Sequence, residues 1–238
     1  MCDEASVGPG MRIIDVACGT GVLALEAKRR VGREGTVVGL DRNPDMLAVA
    51  RRKGADIVWV EGRAEALPFD QATFDAVVSQ FGLMFFDDRA RALTEMWAVL
   101  RPNGKLVVAV WANLERSPGY AKLVGLLDRL FGPKAADALR APFSLGEKGV
   151  LAKLLSDAGI GSAQIAIRQG YALFPSMRDW MHTDVRGWTL ADMIDDDQFA
   201  ALLRSAESEL AGFVRSDGAV EFACPAMIAS AVKSGDGD

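Results

Sequence analysis

Short apolar runs recur along the first half of the chain, at 11–16, 36–41, 56–61, 74–80 and 105–111. Between them the apolar positions return every three to four residues, the spacing of a helix with one buried face. A nearly unbroken apolar run reads as a strand covered on both sides, and strands alternating with helices predict a doubly wound, Rossmann-like α/β fold around a parallel sheet. The punctuation supports these bounds. Asn43 is placed to cap a helix with Pro44 in its first turn, Met46, Leu47 and Ala50 share one face, and Gly54 is placed to end it. Asp87 or Asp88 starts another helix, along which Leu93, Met96, Trp97 and Leu100 recur, before Pro102-Asn103-Gly104 turns the chain into the next strand.

After residue 111 the pattern changes. Helical stretches are predicted at 117–140 and 147–158, an extended run at 162–174, mixed helices to about 214, and a strand-like run at 220–232. The two extended runs are expected to form the antiparallel pair that ends the sheet. This gives one domain over 1–238, with a core at 11–111, a helical region with the 162–174 strand at 112–219, and a final strand at 220–232. Residues 234–238 read as a frayed tail.

The glycine turn between the first strand and the first helix narrows the chemistry. Asp15-Val16-Ala17-Cys18-Gly19-Thr20-Gly21 follows Met11-Arg12-Ile13-Ile14. In α/β folds this is where nucleotide-like cofactors bind, because glycine lets the main chain approach a ligand and accepts positive φ. Gly19-Thr20-Gly21-Val22-Leu23-Ala24 also matches G-x-G-x-x-A, with Asp41 where a ribose-binding acid belongs, so a nicotinamide or flavin dinucleotide competes for this site. A pyrophosphate over that helix start would meet Asp15, whereas a cofactor carrying an ammonium and a sulfonium but no phosphate would be attracted by it. S-adenosylmethionine fits the charge better.

Composition excludes several classes. The 238 residues are half hydrophobic, enough for a substantial core, and the net charge of −5 argues against a nucleic-acid partner held by a broad basic surface. Cys2, Cys18 and Cys224 are too few and too scattered for a disulfide framework or a zinc site. No apolar run approaches the roughly 20 residues that span a bilayer, and the N-terminus lacks a basic start with an apolar signal core. The expectation is an unexported cytoplasmic protein with no membrane partner, no metal and a small-molecule substrate. The oligomeric state is left open.

Four ordered segments carry a family resemblance. The glycine loop at 15–21, Val37-Val38-Gly39-Leu40-Asp41, the run from Glu61 through Arg63-Ala64-Glu65 to Phe69, and Leu100-Arg101-Pro102-Asn103-Gly104-Lys105-Leu106 together resemble the class I S-adenosylmethionine-dependent methyltransferases. The branch they resemble is that of the ubiquinone and menaquinone C-methyltransferases. The resemblance spans 11–111. It implies a seven-stranded sheet of order 3-2-1-4-5-7-6, a helical lid over the acceptor, and methyl transfer to a small organic molecule. Such enzymes usually carry a few dozen more residues before the first strand, where this chain has about ten. That leaves three sources for the cover of the cofactor: a start further upstream, the lid, or a second subunit.

The resemblance also implies roles. Gly19 and Gly21, with Ala17 and Cys18, line the methionine moiety; Asp15 meets its ammonium directly or through water; Asp41 accepts from both ribose hydroxyls. Arg42 and Met46 pack around the adenosine, Met46 having a core role as its equal alternative. Ala64 and Glu65 read the adenine. Many relatives have Asp or Asn where this chain has Arg63, which offers donors and no acceptor, so Arg63 either stacks on the ring or faces solvent. Gln80 ends the fourth strand, where it touches cofactor or substrate or else satisfies backbone groups. The Asp/Asn-Pro-Pro-Tyr/Phe signature of many enzymes that methylate nucleic acids and proteins is absent at Gln80-Phe81-Gly82.

Methyl transfer from a sulfonium asks chiefly for in-line positioning. A base is needed for some acceptors only, and His182, the sole histidine, is the candidate. Trp111, Tyr120, Phe143, Tyr171, Phe174, Trp180 and Trp188 either line an apolar pocket or pack the helical region. Cys18 is a small turn residue with no His or second Cys in sequence to activate it. Besides the dinucleotide oxidoreductase, a noncatalytic S-adenosylmethionine-binding module is a further alternative.

Overall fold

The computed structural model describes residues 1–187, 190 and 193–235. The chain divides into two compact units. The first comprises Met1–Val110, Lys148–Ala166 and the C-terminal segment from Met227, and the second Trp111–Glu147 and Ile167–Ala226.

The first unit is built on a seven-stranded sheet. Its strands are β1 (Arg12–Val16), β2 (Thr36–Asp41), β3 (Val58–Glu61), β4 (Phe74–Gln80), β5 (Leu100–Trp111), β6 (Gln164–Arg168) and β9 (Ala226–Val232), in the order β3-β2-β1-β4-β5-β9-β6. That is the expected 3-2-1-4-5-7-6, with an antiparallel last pair. Parallel register sets Asp15 beside Gly39 on one neighbour and Val78 on the other, and Asp41 beside Glu61. Ile13 and Ile14 point to opposite faces by strand alternation, and both are fully buried, so both faces are covered.

Helices α1 (Val22–Val31), α2 (Pro44–Lys53), α3 (Arg89–Val99) and α6 (Lys148–Asp157) belong to this unit. α1 buries Leu23, Ala24, Ala27 and Val31, which cluster with Ile13, Val37, Ala76, Val78 and Val107 and with Cys2, Ala5 and Val7 of the N-terminal segment. Burial of each Leu, Ile or Val is worth about 1.5–3 kcal/mol. α2 starts where expected, the Asn43 side chain accepting from the Asp45 and Met46 amides. For α3 the choice between Asp87 and Asp88 falls on Asp88, which accepts from the Arg91 amide.

Three boundaries differ from the sequence reading, each for a local reason. Pro102-Asn103-Gly104 is part of β5 and not a turn before it. The register jumps from Phe74 opposite Leu100 to Ala76 opposite Lys105, so the extra residues form a bulge, with Asn103 at φ 62° donating its amide to Lys233 O. The helical stretch at 117–140 is two helices, α4 (Pro118–Phe131) and α5 (Pro133–Arg140), broken at Gly132, where φ is +82° and a proline follows. Both extended runs also divide. β7 (Tyr171–Phe174) pairs antiparallel with β8 (Val220–Ala223) in a separate two-stranded sheet. Pro225, which has no N–H for a ladder, separates β8 from β9, and its carbonyl accepts from the Ala112 amide. The pairing of the two runs survives in both halves.

The second unit is completed by α7 (Met177–Met181), a π-helical turn at His182–Arg186, and α8 (Asp196–Glu209). Its core joins Leu123, Leu127, Leu139, Trp180, Leu202 and Phe222. The rings of Trp180 and Phe222 lie 4.7 Å apart, and Tyr120 meets Phe222 edge-on at 5.1 Å. Tyr120, Phe143, Phe174 and Trp180 are therefore packed within this unit, while Tyr171 is exposed and Trp188 lies outside the described residues. Residues 236–238 of the expected tail also lie outside them.

Candidate cofactor site at the strand ends

At the end of β1 the backbone turns sharply. Ala17 has φ 59°, the Cys18 amide donates to Leu40 O at 3.0 Å, and the Gly21 amide donates back to Cys18 O at 2.9 Å. The two glycines serve different ends. A Cβ on Gly19, at φ +53°, would meet nothing within 4 Å, so this stretch of backbone borders open space. A Cβ on Gly21 would lie 2.5 Å from the Trp59 ring, so Gly21 is needed for packing. The first turn of α1 has no side-chain cap and no acidic residue, and its leading N–H groups lack intrahelical partners.

Two carboxylates face this turn from neighbouring strands. Asp41, at the end of β2, accepts the Gly19 amide on Oδ2 and the Asn43 amide on Oδ1, both at 2.8 Å. Asp15 is 1% exposed, and its Oδ2 has no hydrogen-bond partner among the described residues. Burial pushes its carboxyl up to about 8; the Ala24 amide works against this, and the nearby charge of Asp41 adds to it. A buried, unsatisfied carboxyl is costly unless a donor or cation reaches it. Cys18 is buried beside both acids, and desolvation first, then their charge, raises its thiol far above the range of a nucleophile.

The remaining predicted residues divide. Arg42 lies 3.7 Å from Asp87, and Met46 stands 42% exposed, outside the core. Ala64 is buried. Glu65 is committed to the chain itself: its Oε1 accepts the Asp87 amide at 3.0 Å and the Asp88 amide at 3.4 Å. Arg63 takes the solvent-facing course, paired with Asp87 at 2.6 Å and with Glu65 at 3.5 Å. Gln80 is half-buried at the end of β4, opposite Ala109. The next turn presses on the glycine loop, since a Cβ on Gly82 would lie 2.6 Å from Ala17 Cβ. His182 belongs to the second unit, exposed on its π-helical turn, with the Phe199 ring edge-on at 6.5 Å.

Two residues escaped the sequence reading. Trp59 fills a slot left by Gly21, Gly39 and Gly54, and its Nε1 donates to Gly54 O at 2.8 Å. A glycine inside strand β2 was the available signal, because such glycines mark close approach of another group. Ser79, fully buried with an Oγ that has no partner among the described residues, gave no signal. No three His, Cys, Asp or Glu residues among those described are grouped to hold a metal, and no helix there is long and apolar enough to cross a membrane.

Comparison with known proteins agrees with this geometry. A family described as "Methyltransferase domain" matches residues 14–108. A demethylmenaquinone methyltransferase of Thermus thermophilus is 46% identical over 125 residues, half of this chain and 54% of its own length. The chain thus spans about half the length of the first such relatives it matches. A 2-phytyl-1,4-naphtoquinone methyltransferase of Synechocystis is 33% identical over 187 residues, 62% of this chain and 79% of that one. In structure, a crystallised methyltransferase-like protein of Bacillus halodurans superposes with a TM-score of 0.63 at 19% identity, over 98% of this chain and 96% of its own. That likeness is one of fold.

Proposed function

This chain belongs to the class I S-adenosylmethionine-dependent methyltransferases, and from that premise we propose that it moves a methyl group from S-adenosylmethionine to a small organic acceptor. The observation that carries the reading is the unpartnered, buried Oδ2 of Asp15 beside the open backbone at Gly19. The residues fit the cofactor. Asp15 supplies the charge that its ammonium needs, Gly19 the room for close approach, and the Asp41 oxygens keep lone pairs for the ribose hydroxyls beyond the one amide each accepts. Ala17 and Cys18 line the same turn, Arg42, Met46 and Ala64 border the adenosine side, and Gln80 the strand end next to it.

Bound S-adenosylmethionine brings a methyl group already activated on sulfur, so the protein's share is orientation and exclusion of water. A base is needed only for acceptors that must lose a proton, and His182 is the residue whose part in that step a substitution tests. Glu65, engaged by two main-chain amides, supports adenine recognition by fixing its loop. Three buried free thiols support a reducing compartment, and we assign the cytoplasm. The acceptor is a free small molecule rather than nucleic acid or membrane.

Parallel calorimetric titration with S-adenosylmethionine, S-adenosylhomocysteine and NAD tests the reading. Saturable binding of the two adenosyl ligands alone is expected, and binding of NAD alone would restore the dinucleotide alternative. Tight adenosyl binding with no turnover on a broad acceptor panel would favour the noncatalytic module.

A further inference from the structure

The second unit contains a cavity of about 60 Å³ walled by Trp111, Tyr120, Leu139, Pro142, Phe143 and Asp184. Among the described residues Asp184 is its one carboxylate, on the π-helical turn and 8% exposed, and its Oδ2 has no hydrogen-bond partner there. From this pairing of an orphaned carboxylate oxygen with aromatic walls, we propose that the cavity binds the ammonium end of a small amine on a short apolar stem. The site lies wholly within the second unit and does not depend on the methyl-transfer reading.

The physical case begins with the cost of the unfilled carboxylate oxygen. A buried charge with an unfilled oxygen loses several kcal/mol of hydration unless something replaces the water. Burial pushes this carboxyl up to about 6, and the Tyr120 hydroxyl and Trp180 indole beside it pull the other way and keep it from rising further. Above neutral pH it is therefore ionised while its Oδ2 still lacks a partner among the described residues. A neutral donor would supply one hydrogen bond. An ammonium would supply a charge-assisted bond and cancel the charge, and the faces of Trp111, Tyr120 and Phe143 attract cations in addition.

Volume sets the size of the ligand. A water needs about 10–15 Å³ of such space, so the cavity holds about four water-sized groups. That is an ammonium on two or three carbons, whether a free amine or the end of a larger molecule.

The test uses ¹⁵N-labelled protein and follows the indole N–H signals of Trp180 and Trp111 during titration above neutral pH with n-propylammonium chloride or the isosteric 1-propanol. The amine is expected to shift the Trp180 signal saturably, with an apparent Kd about tenfold or more below that of the alcohol. Asp184→Asn is expected to abolish that preference and leave the alcohol response unchanged. Equal responses to amine and alcohol in the wild type, or a preference that survives Asp184→Asn, would overturn the proposal. The wild-type comparison decides even if the variant folds poorly. S-adenosylhomocysteine titration of the same samples reads the cofactor site separately, so failure of one reading does not disguise failure of the other.

Discussion

Asp41 Oδ2 and the Gly19 amide are hydrogen-bonded at 2.8 Å, tying the end of β2 to the most open point of the turn after β1. Through Asn43, the other oxygen of the same carboxylate also sets the start of α2. Asp41 thus shapes the loop before any ligand arrives, and its removal costs twice. Asp41→Ala is expected to lower S-adenosylmethionine affinity by about 10- to 100-fold and to lower stability by about 1–3 kcal/mol, the usual cost of leaving buried donors unmade. Calorimetry and urea unfolding measure the two effects. Unchanged affinity in a folded variant removes Asp41 from the site.

Gly39 shows that the same loop also depends on packing from behind. A Cβ there would sit 2.3 Å from the Trp59 ring and 3.0 Å from Cys18 Sγ. Gly39→Ala should destabilise the protein by about 1–3 kcal/mol through overpacking, and cofactor affinity should fall with it because Cys18 belongs to the turn. Adding Trp59→Phe, which removes part of the obstructing ring, should recover some of that stability in urea unfolding. Additive losses in the double variant would disprove the Trp59 slot.

The sheet was legible because buried parallel strands are continuous apolar runs and their crossover helices carry caps such as Asn43. The glycine turn and Asp41 were legible because charge and backbone freedom act locally in sequence. What escaped depends on distant neighbours. Nothing at 61–69 reveals that a Glu65 oxygen accepts amides 22 and 23 residues away. The separate β7–β8 pair was hidden because periodicity does not distinguish one sheet from two, although Pro225 marked the break. Asp184, two residues from His182, carries no sequence signal of its burial, since burial of an Asp is invisible until its helix is packed.

His182 offers a clean test of the base assignment. It is exposed, the edge of the Phe199 ring lies beside it, and no carboxylate among the described residues is hydrogen-bonded to it. Imidazoles that act as bases are normally oriented by a third group. His182→Ala should therefore leave kcat within about twofold and its pH profile unaltered. A loss of a hundredfold or more, in the 10²–10⁴ range of general-base catalysis, would return His182 to the reaction.

Asp15 makes the sharpest pH prediction. Its folded value, pushed up to about 8, lies above the value of about 3.9 for an unfolded Asp, so the native state holds the proton more tightly. Its stabilising effect is complete below about pH 4 and is lost as pH rises toward 8, with a slope of at most about 1.4 kcal/mol per pH unit. Asp15→Asn, neutral in both states, should flatten that part of the stability curve. The same proton links to the ligand: an ammonium arriving beside Asp15 favours the ionised form, so binding near neutral pH expels a proton into the buffer. Calorimetric enthalpies of S-adenosylmethionine binding should therefore vary with the buffer's ionisation enthalpy for the wild type and not for Asp15→Asn. Equal buffer dependence in both would mean that the released proton belongs to another group.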